Sequence, residues 1–345
     1  GVAFLGGCCG TTPEHIKTLS DVVKGVVPKK PSGFLKASLA SLFNVVPLKQ
    51  EPAPLLIGER SNATGSKAFR ELLKANDYEG TLSVAQQQVR AGAHVIDVSV
   101  GFAGRDETGD MNKVVSLYSQ KISLPLMPDS TQIKALEAAL KQIGGRCIIN
   151  SVNLEDGEDK FDEVCKLAKR FGAALVWLVI DEIGMAKTKQ RKLEVAERIY
   201  NLCVNRHGFE PSDLVFDMLT FTIGSGDDEY RTAGIETLEA IKEFQLLHPE
   251  VGTTLGLSNI SFGLSQNARI YLNSIYLDHC VKAGLTTAIV NVKHIIPLNK
   301  ISPEDKKACD DLIFNVCENG DPLFKFIEHF SNVESQDEQS DEEYQ

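Results

Sequence analysis

The stretch LGLSNISFG at residues 255–263 decides how this chain is read. It opens with the composition of a buried strand and is then interrupted by Ser258, Asn259 and Ser261. A short apolar run that stops abruptly at amides or hydroxyls is the pattern of a strand whose end meets a ligand. The same shape recurs in LLIGER (55–60), HVIDVS (94–99), PLMPDS (125–130), CIINSV (147–152), LVIDE (178–182), LVFDML (214–219) and AIVNVK (288–293). With LGLSN at 255–259 this gives eight runs, about 20 to 40 residues apart.

Eight such runs, each followed by a segment of helical composition, predict a (β/α)8 TIM barrel. A doubly wound open sheet gives the same alternation, but no glycine-rich dinucleotide turn follows the first run. In a barrel the C-terminal strand ends share one rim, so Glu59, Asn62, Asp97, Asp129, Asn150, Asp181, Asp217, Asn259 and Asn291 are expected to converge there. Helices are predicted near 80–91, 111–120, 131–143, 158–171, 188–205, 232–246 and 265–282. The apolar spacing of the last, with Ile270, Leu272, Ile275, Tyr276, Leu277 and Val281, is read as packing on the barrel and nothing more.

Composition narrows the partners. The net charge is −11, and residues 333–345 carry six acids and no base, so over half of it sits in the tail. No basic stripe appears, which argues against nucleic acid, and no apolar run approaches the ~20 residues of a membrane span. Eight cysteines lie mostly in apolar patterns, as at Cys147, Cys165, Cys203 and Cys280. Reduced, buried thiols and a cytoplasmic location are the expectation.

Outside the barrel at 55–330, residues 1–26 read as the last βα unit of another domain: a strand at 1–5, a tight GGCCG loop, and a helix with Thr12 as N-cap and Pro13 at its first position. Adjacent Cys8 and Cys9 are both potential zinc ligands, but a tetrahedral site needs more, and no third cysteine is nearby. Prolines punctuate 27–54, which reads as a linker with a short helix at 35–43. The acidic stretch 331–345 reads as a disordered linker with too few apolar residues to bury.

In order along the chain, GGCCGTTPEH (6–15), GERSN (58–62), PDS (128–130), INS (149–151) and LSNISFG (257–263) resemble the cobalamin-dependent methionine synthases. The resemblance spans the tail end of the homocysteine module and all of the pterin-binding, methyltetrahydrofolate module. It implies a pterin-binding (β/α)8 barrel that takes the N5-methyl of 5-methyltetrahydrofolate and passes it to cob(I)alamin carried by a separate cobalamin-binding module. Zinc, held through Cys8 and Cys9, is implied only in the intact homocysteine module.

The resemblance also implies residue roles. Asp129, Asn150 and Asp217 match positions that hold the pterin edge, whose amino and ring N–H donors need fixed carboxylates and amides. Glu59, Asn62 and Asn259 match further positions around the ring. Asn259 is the candidate catalytic residue, an amide on a mobile strand-exit loop that accepts a hydrogen bond from protonated N5 and favours the activated form. Asp97, with Asp181 and Glu182 on the same rim, is a candidate for the proton path. Arg269 and Lys293 are candidates for the glutamate tail of the folate. Asp217-Met218 departs from the Asp-Pro of many relatives, and no D-x-H-x-x-G corrin-ligand motif occurs. A dihydropteroate synthase-like enzyme and a non-catalytic folate-binding module are the alternatives.

Overall fold

The computed structural model describes residues 4–27, 37–318 and 320–331. The chain divides into two units, 1–36 and 37–345. In the first, helix α1 (Pro13–Val23) begins at Thr12 with proline at its start, as the sequence predicts, and His15 Nδ1 accepts from the Thr12 N–H at 3.1 Å. None of the α1 side chains is buried. Residues 1–3 of the expected first strand lie outside the described residues, and Phe4 and Leu5 are not in a strand.

The second unit opens where the sequence reads as a linker. Instead of a helix at 35–43, β1 (Ser38–Ala40) and β2 (Val45–Pro47) form an antiparallel hairpin; residues 28–36 lie outside the described residues. Ala40 and Arg146 exchange both backbone hydrogen bonds at 2.8 Å, and the Arg146 guanidinium also reaches Ser38 O and Asp213. Gly145 permits this approach, because a Cβ there would lie 2.0 Å from Ala40 O.

Eight parallel strands follow: β3 (Leu55–Asn62), β4 (Val95–Ser99), β5 (Leu126–Pro128), β6 (Ile148–Val152), β7 (Ala174–Leu178), then, after a two-residue pair β8 (Ile180–Asp181) and β9 (Gly184–Met185), β10 (Leu214–Asp217), β11 (Gly252–Thr254) and β12 (Thr287–Val290). Pairing runs β12-β3-β4-β5 and β6-β7-β10-β11. Two single parallel bridges, Asp129 with Asn150 and Gly256 with Ile289, join these arcs and close the barrel. Two strands lie earlier than the sequence placed them: β7 ends at 178, where 178–182 was expected, and β11 ends at 254, where 255–259 was expected.

Between strands lie α2 (Lys67–Lys74), α3 (Tyr78–Arg90), α4 (Glu107–Lys121), α5 (Ile133–Leu140), α6 (Glu158–Phe171), α7 (Lys189–Asn201), α8 (Ala233–Leu247) and α9 (Gln266–Ala283). Helices α10 (Pro303–Ile313) and α11 (Pro322–Ser331) follow β12, and 332–345 lie outside the described residues. Ser66, Asp77, Asp106, Thr188 and Ser302 cap their helices through side-chain acceptors, which satisfies N–H groups that a helix start leaves free. Among the described residues no helix is long and apolar enough to cross a membrane. Five of the eight free cysteines are buried.

The strand period of two sorts side chains into two populations. Ile96, Val98, Ile149, Leu175, Trp177, Leu214 and Phe216 pack outward with the helices. Leu55, Ile57, Val95, Met127, Ile148, Ala174, Val176 and Val215 fill the lumen, and Leu39 and Leu48 of the hairpin segment join that same cluster. The hairpin is therefore the floor of the barrel. Because Leu39 is 0% exposed, Leu39→Ala is expected to cost about 2–5 kcal/mol, the range for emptying a buried leucine site. Urea unfolding of the two proteins measures this, and a cost below ~0.5 kcal/mol would return the segment to the status of a linker.

Candidate active site

Two residues beyond the apolar lumen layer, the inward positions turn polar. Ile57 is followed by Glu59, Val95 by Asp97, Met127 by Asp129, Ile148 by Asn150 and Ile289 by Asn291. All five polar residues line one cavity of about 510 Å³ at the C-terminal strand ends. Asn62, Gly256, Ser258, Asn259 and Arg269 line it too.

Local devices aim these groups. The β3–β4 register shifts between Gly58 and Ser61, so both Glu59 and Asn62 of one strand reach the cavity. Gln88 of α3 holds the irregular segment, accepting from Arg60 N–H at 2.8 Å and donating to Ser61 Oγ at 3.0 Å. Gly58 leaves room for it, since a Cβ there would sit 2.5 Å from Gln88 Oε1. Asn62 Oδ1 accepts from the N–H groups of Thr64 and Gly65, both at 2.9 Å, and its side chain hydrogen-bonds Asp97. Asn150 Nδ2 donates to Asp97 Oδ1 at 3.3 Å.

The carboxyls sit in low-dielectric surroundings. Burial pushes Asp97 well above the usual carboxylate range; the Asp129 and Glu59 charges push the same way, and the Asn150 and Asn62 hydrogen bonds oppose them. Burial lifts Asp129 to about 6, with a hydrogen bond to Ser99 opposing and the Glu107 charge adding. Glu59 is also raised by burial, against the Ser258 hydroxyl at 3.0 Å and the Arg60 and Arg269 charges. A set of buried acceptors held short of full ionisation is suited to a ligand edge rich in N–H donors.

Beside Glu59, residues 257–261 form a 3-10 turn where a mobile loop was expected. Arg269 Nε donates to Ser261 Oγ at 3.1 Å and its Nη2 to Ser258 O at 3.3 Å, with the guanidinium over the Phe262 ring at 5.1 Å. Ser258 Oγ ties the turn to Glu59, and Ile223 N–H donates to Ile260 O. Asn259 is thus carried on a pinned platform, and Arg269 is one of its pins.

Other expected site residues sit elsewhere. Asp217 is buried but does not line the cavity; it accepts from Leu219 N–H at 2.8 Å and from the backbone of Gly256, which does. Burial raises it to about 6, opposed by those bonds and the Lys192 charge. Asp181 pairs with Arg191 and lies 4.0 Å from Arg198, and Glu182 pairs with Arg198 at 2.7 Å, so both serve ion pairs outside the cavity. Lys293 is exposed and is not in the lining.

Sequence reasoning also missed a wall. The first turns of α9, read as barrel packing apart from Arg269, present Gln266, Arg269, Ile270 and Asn273 to the cavity. Their spacing of three and four residues, with three polar groups on that face, was the available signal. In the first unit Cys8 and Cys9 are exposed, with Sγ atoms 3.9 Å apart. No group of three or more His, Cys, Asp or Glu able to hold a metal occurs among the described residues. Two thiols alone do not complete a tetrahedral zinc site, so no step is assigned to zinc here.

Closed parallel strands with a polar cavity at their C-terminal ends define a barrel enzyme fold. The family described as "Pterin binding enzyme" matches residues 58–291, about two thirds of the chain, and the chain belongs to it. Residues 1–23 match the family described as "Homocysteine S-methyltransferase". Over nearly its whole length the chain is similar to methionine synthases, 45% identical to that of Mycobacterium leprae over 97% of this chain and 44% to that of Mycobacterium tuberculosis over 99%. It spans 28% and 29% of those relatives. Among solved structures, Yersinia pestis dihydropteroate synthase with a pterine-sulfa conjugate superposes with a TM-score of 0.54 at 14% identity, covering 79% of this chain and 97% of that one. The Stenotrophomonas maltophilia enzyme gives 0.53 at 14%, covering 76% and 93%. Identities this low show the shared fold alone.

The raised Asp129 has a consequence for stability. Between pH ~4 and ~6 the folded chain retains a proton that the unfolded chain has released, so stability falls as pH rises through that window. Asp129→Asn removes the penalty and is expected to make the ligand-free protein about 1–3 kcal/mol more stable at pH 7.5, with little change at pH 4. Urea titrations at both pH values decide it; an equal effect at the two would mean that burial does not disfavour the ionised carboxyl.

Proposed function

We propose that the barrel binds 5-methyltetrahydrofolate and passes its N5-methyl group to cob(I)alamin, one half-reaction of methionine synthesis from homocysteine. The observation that carries this reading is the cavity itself, lined by Glu59, Asp97, Asp129 and Asn150 together with Asn259, which stands on a pinned turn. The similarity to methionine synthases over nearly the whole chain supports it.

On this reading the aminopyrimidine edge of the pterin donates to Asp129 and Asn150, charge-assisted bonds worth about 1.5–3 kcal/mol each where the partner is ionised. Asp217 supports the floor through Gly256. Asp97, buried among Asp129, Asn62 and Asn150, has its ionised form disfavoured, which suits it to the proton path near the ring. Transfer breaks the N5–CH3 bond and forms a Co–CH3 bond with the electron pair of cob(I)alamin, while the N5–C pair stays on nitrogen. That nitrogen is a poor leaving group unless protonated. The Asn259 carbonyl accepts from N5–H, and because the turn is already fixed it needs no reorganisation during reaction. Arg269 acts through the turn, and any contact with the folate tail is secondary.

The corrin is a methyl-accepting substrate delivered by a cobalamin-binding module. Residues 1–26 belong to a homocysteine module whose remaining ligands complete the zinc site, and the working compartment is the cytoplasm.

Asp129→Ala or Asn150→Ala is expected to weaken 5-methyltetrahydrofolate binding about tenfold or more, read by calorimetry. Unchanged affinity would remove them from the site. Asn259→Ala is expected to lower the saturated single-turnover rate with added cob(I)alamin about 100-fold and to change affinity less. A normal saturated rate across pH would leave Asn259 a binding residue only. Folate binding with no methyl transfer by the unaltered protein would make the barrel a binding module.

A further inference from the structure

Lys192 of α7 is 0% exposed. Burying a lysine where an apolar chain of equal length would fill the space is costly unless the ammonium is used. Its Nζ donates to Met218 O and, at 3.0 Å, to Leu219 O, and lies 5.0 Å from the centroid of the Phe221 ring. These groups all belong to the segment leaving β10, immediately after Asp217. Leu219 has φ +57°, a left-handed conformation unfavourable for leucine, so something must hold it. Thr237 Oγ1 of α8 donates to the same Leu219 O at 2.9 Å, and Leu219 N–H donates to Asp217 Oδ1 at 2.8 Å.

We propose that Lys192 is a positioning residue: its buried ammonium gathers the Met218 and Leu219 carbonyls, holds the left-handed turn, and through the Leu219 N–H fixes the Asp217 carboxylate beneath Gly256 and the ligand cavity. Carbonyl oxygens that converge repel one another, and a cation between them turns that repulsion into attraction. A methionine at 192 fills the volume without doing so. The inference rests on the folate reading only in assigning Asp217 a role in ligand binding; the link from Lys192 to Asp217 stands on the contacts.

The charged groups facing Lys192 are Asp217 from β10 and Glu236 from α8. Burial pushes the ammonium down to about 7, against the pull of those two carboxylates. Asp217 in turn is held lower by the Lys192 charge than burial alone would leave it. Below pH ~7 the cation is present; as pH rises beyond it, the neutral amine holds the two carbonyls more weakly and Asp217 loses its counter-charge.

The test compares the unaltered chain with Lys192→Met by calorimetry with 5-methyltetrahydrofolate from pH 6 to 8.5, and by carbon NMR titration of the Asp217 carboxyl, assigned with Asp217→Asn. Expected are about tenfold weaker binding by Lys192→Met at pH 7, loss of affinity above pH 7 in the unaltered chain but not in the variant, and an Asp217 titration moved to higher pH in the variant. Unmoved Asp217 titration together with affinity within twofold at every pH overturns the proposal. Should Lys192→Met not fold, Thr237→Val leaves the ammonium as the main holder of Leu219 O. That variant is expected to bind nearly normally at pH 6 and to lose affinity more steeply above pH 7; an unchanged alkaline limb overturns the proposal. If the unaltered chain binds no folate, the functional reading fails, and the Asp217 titration still decides the role of Lys192.

Discussion

The barrel depends on a constraint set by strand geometry: in a closed sheet, residues two apart on one strand face the same lumen, one layer above the other. Here the lower layer is Ile57, Val95, Met127, Ile148, Val176 and Val215, and the hairpin leucine Leu39 seals it from below. Water therefore reaches Asp97, Asp129 and Asn150 only from the cavity side. The raised carboxyls follow from that one-sided access, since ionised groups on an apolar floor lose solvation they cannot recover from the protein alone. Closure and site are also joined at single residues. The bridge that completes one seam pairs Asp129 with Asn150, so the strands forming the barrel and the groups facing the cavity are fixed by the same contact.

Regular strands alone would not build the site. The pairing shifts between Gly58 and Ser61 in β3 and between Ile149 and Val152 in β6, and these two strands carry Glu59, Asn62 and Asn150. A shift breaks the alternation and lets two polar residues of β3 reach one cavity. It needs a partner for the freed backbone, and Gln88 supplies one, with Ser61 Oγ in turn near Tyr118 Oη at 3.2 Å. Gln88 belongs to the site as support, although it never reaches the cavity.

The barrel was legible because eight apolar runs ending in amides or acids repeat at regular intervals, and the pattern of Ile57 to Glu59 and Val95 to Asp97 is visible without coordinates. Position along a run was less legible. ALVWLVI at 174–180 is apolar throughout, and only pairing shows that β7 stops at Leu178. GTT at 252–254 is a strand with two buried threonines, so the eye moves to Leu255 and Leu257 after it, the second of which opens the 3-10 turn. Asp181 reads like Asp129 from the sequence; its capture by Arg191, ten residues on, depends on where α7 packs. The floor hairpin was hidden by prolines that bound a segment without making it a linker. The α9 wall was hidden because its polar residues sit among apolar ones that do pack on the barrel.

The two walls of the cavity differ in kind, and that difference gives the functional reading its direction. On the strand side Glu59, Asp97 and Asp129 are carboxyls whose ionised forms burial disfavours. Asn259 stands on a turn tied to Arg269 and Glu59, with Phe262 beside the guanidinium. A flat heterocycle whose donors all lie on one edge binds such a cavity in one sense only, donor edge to the carboxyls. On the proposed folate reading its far ring meets the amide. On the proposed folate reading, binding energy gained at the carboxyls is spent on orientation, while the Asn259 amide is left to favour charge that develops only as the reaction proceeds. The burial of Asp97 and Asp129 lowers the stability of the empty barrel, and the same burial makes each hydrogen bond to a bound donor count for more than it would in water.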